Sequence, residues 1–231
     1  MSISDKLATV AEKTPKVYDA GFTKGYDSGY EAGQKSEYDR FWDNYQNYGN
    51  RKSYNYAFAG SGWTGELFKP KYPLNCTGQS NGIFQTNTAI TAINIPLLFD
   101  YAGCVGAFDW CMNLKTIASI TVTDKVSFSN WFTQCGELQT INFTEDSVIA
   151  NSIAFTSCKK LNKDSIISII NALSNTVSGK TLTLSKSAVD TAFQELDKAD
   201  DGSINWYMPG SESSEWSALI ATKSNWTISL V

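Results

Sequence analysis

The feature that most constrains the fold is a motif that recurs along the middle of the chain. An aromatic residue is followed three positions later by cysteine, six by leucine and nine by isoleucine, as in Phe108-Asp-Trp-Cys-Met-Asn-Leu-Lys-Thr-Ile117. The same order begins again at Phe132, 24 residues further on, and in shortened form at Phe155 after another 23. An earlier copy begins at Phe84 and has Asn87 in place of cysteine. Internal repetition of this kind decides the fold class before any single residue does.

A period of roughly 20 to 29 residues with leucine and isoleucine at this spacing is typical of leucine-rich repeats. Each unit supplies one short strand and cannot bury its apolar face alone, so neighbouring units must stack. We therefore predict an α/β solenoid in which strands near Ile93, Ile117 and Ile141 form a parallel sheet. The motif resembles the BspA-type leucine-rich repeats, whose units share this order of residue types. The resemblance implies a short leucine-rich-repeat fold and says little about function.

Composition divides the chain into three parts with different predicted roles. Residues 1–50 are predicted to form a helical oligomerisation or virion-docking segment, residues 51–162 an N-terminal cap and the repeats, and residues 163–231 a helix-rich C-terminal cap. The predicted fold is therefore a solenoid with a helical stalk at one end and an α/β cap at the other.

The N-terminal segment combines an apolar seam with a row of glycines. Apolar residues at helical spacing are Ile3, Leu7, Val10 and Val17. Glycines then recur at every fourth position beside aromatic residues; these are Gly21, Gly25, Gly29 and Gly33, with Phe22, Tyr26 and Tyr30. Because four interior glycines cost a helix roughly 3–4 kcal/mol relative to alanine, we predict that they form a ridge packed closely against another helix. A flexible arm without fixed structure is the alternative.

After Leu161 the pattern changes from strand to helix and predicts the elements of the C-terminal cap. Apolar residues from Ile166 to Leu173 recur at helical spacing, and Asp164 is the expected N-cap of that helix. The further elements are predicted as a strand at 181–184, helices at 187–197 and 214–224, and a strand at 226–231. Together they would extend the sheet and cover the open edge that otherwise invites pairing with another chain.

A second resemblance spans residues 15–72, where the helical segment meets the repeats. The residues that carry it are Pro15-Lys-Val-Tyr-Asp-Ala-Gly21, Glu37-Tyr-Asp-Arg-Phe-Trp42, Tyr56-Ala-Phe-Ala-Gly-Ser-Gly-Trp63 and Phe68-Lys-Pro-Lys-Tyr72. Their order is similar to the amino-terminal part of leucine-rich-repeat proteins encoded by phages and prophages of gut Firmicutes. This resemblance implies a component of a virion or of its tail.

Charge and the N-terminal residues bear on partners and location. A formal net charge of −4 and a pI near 4.9 argue against a nucleic-acid binder, which would concentrate lysine and arginine on one face. No window is long and apolar enough for a transmembrane helix, and the first residues lack the basic and apolar regions of a secretory signal. We therefore expect a protein made in the host cytoplasm and located in the virion, without nucleic-acid binding or membrane insertion.

The residue types that dominate catalysis and metal binding are scarce. The chain contains no histidine, so a serine or cysteine nucleophile would lack its commonest base. Cys111, Cys135 and Cys158 share one position in successive copies, for which a metal or redox ladder is one interpretation. Zinc sites need paired cysteine or histidine ligands, so we favour small buried thiols instead. We predict no catalytic residue, no metal site and no cofactor.

Four tryptophans are the best candidates for a ligand-binding surface; they are Trp63, Trp110, Trp131 and Trp206. The first three lie in the cap or the repeats, in segments poor in charge and rich in serine, threonine and asparagine. Carbohydrate-binding and protein-binding faces often have this character. Packing within the core is the alternative for these tryptophans, and Trp206, in the predicted loop from Gly202 to Glu215, has the stronger claim to exposure.

Three functions are compatible with these features. The leading one is a non-enzymatic structural or host-recognition protein of a phage particle, associated with tail, fibre or capsid, whose repeats display a receptor-binding surface. Its partners would be its own copies, a trimer being one option, other virion proteins, and a protein or glycan on the host surface. The second is a bacterial surface adhesin, the usual context of BspA-type repeats, against which the missing secretory signal counts. The third is a cytoplasmic protein-binding scaffold.

Overall fold

The computed structural model of the protein describes residues 54–60, 73–198 and 202–231. These residues belong to the second of the two units into which the chain divides, Gly49–Val231. The predicted N-terminal helices, with the apolar seam and glycine ridge from Ile3 to Gly33, lie outside the described residues, as does Trp63. No helix within the described ranges has the length and apolar character needed to cross a bilayer.

Five short strands in the repeats pair in parallel. They are β1 (Leu74–Cys76), β2 (Ala92–Ile93), β3 (Leu97–Phe99), β4 (Thr116–Val122) and β5 (Thr140–Phe143). One edge of β4 pairs with β2 through its first residues and with β3 through its last, and the other edge pairs with β5. Strand β1 pairs with β3. The strands predicted near Ile93, Ile117 and Ile141 are therefore confirmed.

The strands are paired so that equivalent residues of successive copies of the motif lie side by side. Ile93, Ile117 and Ile141 lie in one row across β2, β4 and β5. Side chains alternate between the two faces of a strand, and in β5 the inward residues are buried whereas Asn142 is exposed. Stacking the same apolar position from neighbouring copies gives each row contacts that no single copy could supply.

A column of phenylalanine rings runs through the stacked copies, and its members are Phe58, Phe84, Phe108, Phe132 and Phe155. Adjacent rings are nearly parallel, with centroids 5.3, 5.5, 5.4 and 4.5 Å apart in that order. All of these side chains are buried. Residues 54–60, predicted as part of the N-terminal cap, therefore have the geometry of a further copy.

From residue 153 onward the structure contains three helices and five further strands within the described ranges. The helices are α1 (Lys163–Ala172), α2 (Lys186–Ala192) and α3 (Ser214–Ala221), and a 3₁₀ turn covers Gly210–Glu212. The strands are β6 (Ile153–Phe155), β7 (Lys180–Leu184), β8 (Glu195–Lys198), β9 (Ile204–Met208) and β10 (Trp226–Leu230). Strands β6, β7 and β10 form a parallel sheet in the order β10-β7-β6, and β8 and β9 form an antiparallel pair.

Helix α1 occupies the edge of β5 at which another strand would otherwise pair. The hydroxyl oxygens of Ser165 and Ser168 accept hydrogen bonds from the backbone N–H groups of Ile141 and Phe143, at 2.9 and 2.7 Å. Residues three apart lie on one face of a helix, so the two serines meet two successive donors of the strand. An edge satisfied by side chains offers no template for further pairing.

The predicted start of α1 is wrong. The side chain of Asn162, rather than that of Asp164, accepts a hydrogen bond from the N–H of Ser165 and caps the helix. Asn162 has extended backbone geometry, as an N-cap residue does, whereas Asp164 already lies within the first turn. A carboxylate at that position still interacts favourably with the positive end of the helix dipole.

The helix predicted at 187–197 is also wrong in its second half. Helix α2 ends at Ala192, and Phe193 leaves helical geometry to pack its buried ring on Trp216, with centroids 5.4 Å apart. The 3₁₀ turn lies directly against this point, since a side chain at Gly210 would collide with the carbonyl of Val189. The chain then continues as β8, and the segment predicted as a loop contains β9. Helix α3 likewise ends at Ala221 rather than at 224.

Lys223 connects the end of α3 to the C-terminus of α1. Its Nζ donates hydrogen bonds to the carbonyl oxygens of Leu173 and Asn171, at 2.6 and 3.3 Å, and to Oδ1 of Asn175 at 3.0 Å. A cation at this end of a helix satisfies carbonyls that have no intrahelical partner and interacts favourably with the dipole. Burial lowers the pKa of the Lys223 ammonium from its usual value.

Candidate functional site

Each copy from 54 to 134 carries a turn segment with two backbone positions in the left-handed region. In the copy around Phe108 these are Gly106, with φ of 63°, and Trp110, with φ of 61°. The counterparts of Gly106 are Tyr56, Gly82 and Asn130, and the counterparts of Trp110 are Gly60, Thr86 and Gln134. Backbone hydrogen bonds join each turn segment to the next, as from Phe84 N to Ala107 O at 2.9 Å. We call the outer surface of residues 54–60, 80–86, 104–110 and 128–134 the turn face.

Tyr56 and Trp110 occupy left-handed positions in spite of the energetic cost. A residue other than glycine loses roughly 1–2 kcal/mol there, and glycine takes the same positions in neighbouring copies, at Gly82 and Gly60. Both aromatic side chains are exposed, Tyr56 by 58% and Trp110 by 47%. Neither burial nor backbone preference favours an aromatic residue here, and retained strain of this kind is typical of functional sites.

A line of contacts crosses the turn face from Tyr56 to the copy that contains Trp110. The ring of Tyr56 lies over Gly82, where an added Cβ would come within 2.5 Å of the ring and 2.9 Å of Oε1 of Gln85. The Nε2 of Gln85 in turn donates a hydrogen bond to Oδ2 of Asp109, in the next copy, at 2.9 Å. Trp110 follows Asp109 directly in the chain. We call Tyr56, Gln85, Asp109 and Trp110 the turn-face patch.

Asp109 is the buried member of the turn-face patch. It is only 9% exposed, and its Oδ1 is the one buried side-chain nitrogen or oxygen without a hydrogen-bond partner among the described residues. Leaving a buried polar atom unsatisfied costs about 1–3 kcal/mol. Its other oxygen, Oδ2, is held by Gln85. Because Oδ1 is buried, it is not accessible to a ligand from outside the chain, and Asp109 serves the patch by holding the side-chain amide of Gln85.

The turn face is almost free of charge. Asp109 is the only charged residue in the four turn segments, which contain no lysine or arginine. An anionic ligand would therefore meet a carboxylate and no neighbouring cation within these segments. The side chains present are aromatic rings, amides, hydroxyls and small apolar groups, so hydrogen bonding and ring stacking are the interactions that this surface offers.

The cysteine position of the motif has a structural explanation. The thiols of Cys111 and Cys135 donate to the backbone carbonyls of Phe84 and Phe108, one copy earlier, each at 3.0 Å. Where asparagine replaces cysteine, Nδ2 of Asn87 makes the equivalent hydrogen bond to the carbonyl of Phe58 at 2.9 Å. The position therefore takes a small buried donor that ties one copy to the copy before it.

Burial raises the pKa of every cysteine thiol. The pKa of Cys104 rises to about 11 and that of Cys135 to about 12, and the pKa values of the other three lie further above the usual range. All five are free and buried. A thiol that stays protonated is a poor nucleophile and a poor metal ligand. Among the residues that the structure describes, no group of three His, Cys, Asp or Glu side chains is placed to hold a metal ion.

Trp131 does not belong to a ligand-binding surface. It is 1% exposed, and its ring packs against Phe99 and Phe128, with centroids 4.7 and 4.9 Å away. Its Nε1 donates a hydrogen bond to the carbonyl of Cys104. A buried indole needs a partner for its N–H group, and this carbonyl provides one, so the core interpretation of Trp131 is confirmed.

Trp110 and Trp206 are both 47% exposed, but they lie in different parts of the chain. Trp206 lies in β9, where its cross-strand partner is Asp197. On the opposite face of the β8–β9 pair, Leu196 and Tyr207 face each other and are exposed by 44% and 55%. No contact within the described residues brings Trp206 to the turn-face patch.

A concavity lies between α1 and the end of β5. It has a volume of 450 Å³, and its lining includes Asn142, Glu145, Asp164, Ile167 and Ser168. The hydroxyl of Ser168 holds α1 against β5, because it accepts a hydrogen bond from the N–H of Phe143. This depression contains no buried polar atom without a partner, so the turn-face patch is the better candidate site.

Comparisons with models of protein families, with curated proteins and with solved structures find no match to this chain. The site therefore rests on its own geometry. Of its members, Trp110 is one of the four tryptophans that the sequence suggests as ligand-binding candidates, whereas Tyr56, Gln85 and Asp109 are not among the candidates from the sequence. The signal that finds Tyr56 is an aromatic residue at a position where the aligned copies have glycine or asparagine, as at Gly82 and Asn130.

Proposed function

We propose that this chain is a non-enzymatic structural or host-recognition protein of a phage particle, and that it presents the turn face on a leucine-rich-repeat solenoid of BspA type. The observation that carries the recognition role is the pair Tyr56 and Trp110, exposed aromatic residues at strained backbone positions. The phage context is supported by the resemblance in residues 15–72. The parallel register of one copy on the next supports the solenoid.

A rigid support favours recognition because little conformational freedom is then lost on binding. Trp110 belongs to a segment whose backbone is hydrogen-bonded to the following copy, from its own N–H to the carbonyl of Thr133 at 2.8 Å. The adjacent Phe108 is stacked between Phe84 and Phe132. Tyrosine and tryptophan provide a large contact area with only two side-chain torsions to fix. This combination suits a surface that binds a partner without rearranging.

The N-terminal segment would join the chain to its own copies or to other virion proteins. If the glycine ridge packs closely, replacing Gly25 and Gly29 together by leucine removes the space for the neighbouring helix. The expected result is a lower mass in solution, measured by light scattering, with the melting transition of the repeats unchanged. An unchanged mass would remove the ridge from the proposal and leave the recognition role in place.

The experiment that tests the phage context is sedimentation of a lysate from a producing culture through a density gradient. The chain is then located in the fractions by mass spectrometry. Cofractionation with particles that carry capsid or tail proteins is the expected result. Recovery with the cell envelope would instead favour the adhesin, and recovery only as a free species would favour the protein-binding scaffold.

A further inference from the structure

We infer that the turn-face patch binds a neutral glycan, with Tyr56 and Trp110 against the sugar rings and with the Gln85 amide, held in place by Asp109, hydrogen-bonded to sugar hydroxyls. This inference rests on the recognition role proposed above and specifies the chemical class of the ligand.

The two aromatic side chains suit the apolar faces of sugars. A pyranose ring presents C–H groups on its faces and hydroxyl groups around its rim, and the face of an aromatic ring carries the negative charge that attracts C–H groups. The copies of Tyr56 and Trp110 are separated by one intervening copy. Neighbouring parallel strands are about 4.8 Å apart, so the two backbones are about 10 Å apart along the stack. The Tyr56 ring reaches over Gly82, in the intervening copy, and so occupies part of that distance.

The polar groups of the patch suit the rim of a sugar. A side-chain amide has two N–H donors and a carbonyl acceptor, and only one donor of Gln85 is needed for its hydrogen bond to Asp109 at 2.9 Å. Oε1 of Gln85 lies next to the Tyr56 ring, both being close to Gly82. Asp109 positions this amide through Oδ2, whereas its Oδ1 is buried and is not part of the ligand contact. Hydroxyl groups both donate and accept, so neighbouring hydroxyls can match the N–H group and the carbonyl of the amide together.

The charge of the surface argues for a neutral ligand in particular. With no lysine or arginine in the turn segments, phosphate, sulfate and acidic sugars have no counterion there. A protein partner usually needs a continuous apolar centre within an interface of about 1,200–2,000 Å². The patch instead places a polar side-chain amide between two separate rings. An uncharged polyhydroxylated ligand fits this arrangement best.

The first test uses an immobilised panel of neutral hexose and N-acetylhexosamine oligosaccharides, followed by titration calorimetry with the members that bind. The full chain is expected to bind at least one member saturably. Trp110→Thr should weaken this binding by about tenfold or more, and Gln85→Met should weaken it as well. Thr86 already occupies the equivalent backbone position, so the Trp110 variant keeps an acceptable turn. Trp206→Thr, which removes an equally exposed ring elsewhere, should leave binding unchanged.

The second test uses cell-wall fragments of the producing bacterium, treated either with periodate, which cleaves vicinal diols, or with protease. Trp110-dependent binding that periodate abolishes and protease leaves intact would agree with the inference. Binding that depends on Trp110 but is lost only after protease treatment would overturn the glycan and retain the recognition role. Binding to neither the panel nor the fragments would overturn the glycan inference and count against the recognition role too. Equal loss in Trp110→Thr and Trp206→Thr would also overturn it.

Discussion

The repeats and the C-terminal part each present a tryptophan that is 47% exposed, but they support it differently. Trp110 lies beside Phe108, which is stacked between Phe84 and Phe132, and its segment is hydrogen-bonded to neighbouring copies. Trp206 lies in β9, whose only strand partner among the described residues is β8. A two-stranded pair is marginally stable by itself. Exposure alone therefore does not mark a binding site, and the rigid support distinguishes Trp110.

The two parts also differ in how they are stabilised. In the repeats each contact recurs, so that the same ring stacking and the same thiol hydrogen bond appear in copy after copy. In the C-terminal part contacts occur once, as in the three hydrogen bonds from Lys223 and the two serine hydroxyls of α1. Substitutions in the two parts should therefore have different effects, which can be measured.

The largest difference is expected between Phe108→Ala and Leu196→Ala. Phe108 is fully buried in the centre of the ring column, so its loss should lower the free energy of unfolding by about 3–5 kcal/mol. Leu196 is 44% exposed in the β8–β9 pair, and its loss should change that free energy by about 0.5 kcal/mol or less. Denaturant unfolding of the full chain measures both. Equal effects would mean that the ring column is not the main support of the repeats.

Lys223→Met should lower the free energy of unfolding by about 2 kcal/mol, because the buried carbonyl of Leu173 and the part-buried carbonyl of Asn171, at the end of α1, lose their donor. Lys186→Met is the matched control. Its ammonium is exposed and pairs with Asp190, and surface ion pairs contribute about 1 kcal/mol at most. Thermal unfolding followed by circular dichroism compares the two variants. A small effect for Lys223→Met would show that water replaces its hydrogen bonds.

Alkaline pH should destabilise the repeats rather than the C-terminal part, since all five cysteines lie between 76 and 158. An unfolded thiol with a pKa of 9.0 loses its proton first, whereas folded Cys135 keeps its proton to about 12. The contribution of the Cys135 thiol to the free energy of unfolding is therefore fully present below pH 9 and is lost as the pH rises towards 12. Between pH 9 and 10 each thiol should account for about 1 kcal/mol.

Cys135→Asn tests this assignment, because Asn87 shows that asparagine can make the same hydrogen bond. The variant should lose less stability than the parent chain when unfolding is compared at pH 9 and pH 10. An identical loss in both chains would assign the alkaline sensitivity to groups other than this thiol.

The smallest predicted changes in the free energy of unfolding come from replacing Trp110 or Trp206 by glycine, and they should have opposite signs. Trp110→Gly removes strain at a φ of 61° and should raise the free energy of unfolding by about 1 kcal/mol. Trp206→Gly places glycine within β9 and should lower it by about 0.5–1 kcal/mol. Melting temperatures of the two variants provide the measurement. A loss of stability in Trp110→Gly would mean that the ring makes contacts that support the fold.

The repeated positions could be predicted because each is occupied in the same way several times. The sequence did not identify Phe58 as the start of a copy because Ser61 and Thr64 stand where the copy at Phe108 has Cys111 and Leu114. Phe58 also precedes Phe84 by 26 residues rather than 24. The burial of Trp131 could have been inferred, since Ile83 and Ala107 hold the same position in their copies and are buried.

The remaining features depend on contacts that no local pattern expresses. Gln85 and Asp109 belong to the turn-face patch only because two copies come together and their side chains hydrogen-bond. The β8–β9 pair was missed because residues from 193 onward continue the helical pattern of α2, while the packing of Phe193 on Trp216 ends that helix. Local propensity is overridden here by tertiary packing, as is common where propensities are weak.

Because equivalent residues of neighbouring copies lie side by side, each added copy would lengthen the stack by the same amount. Inserting a duplicate of residues 106–129 would add one more phenylalanine to the column and one more thiol to the line of hydrogen bonds. It would also add a second equivalent of Trp110 about 4.8 Å from the first. The number of Trp110-equivalent binding sites would then increase by one with each added copy. Several weak sites on one rigid body would bind a repetitive ligand more tightly together than any one of them alone.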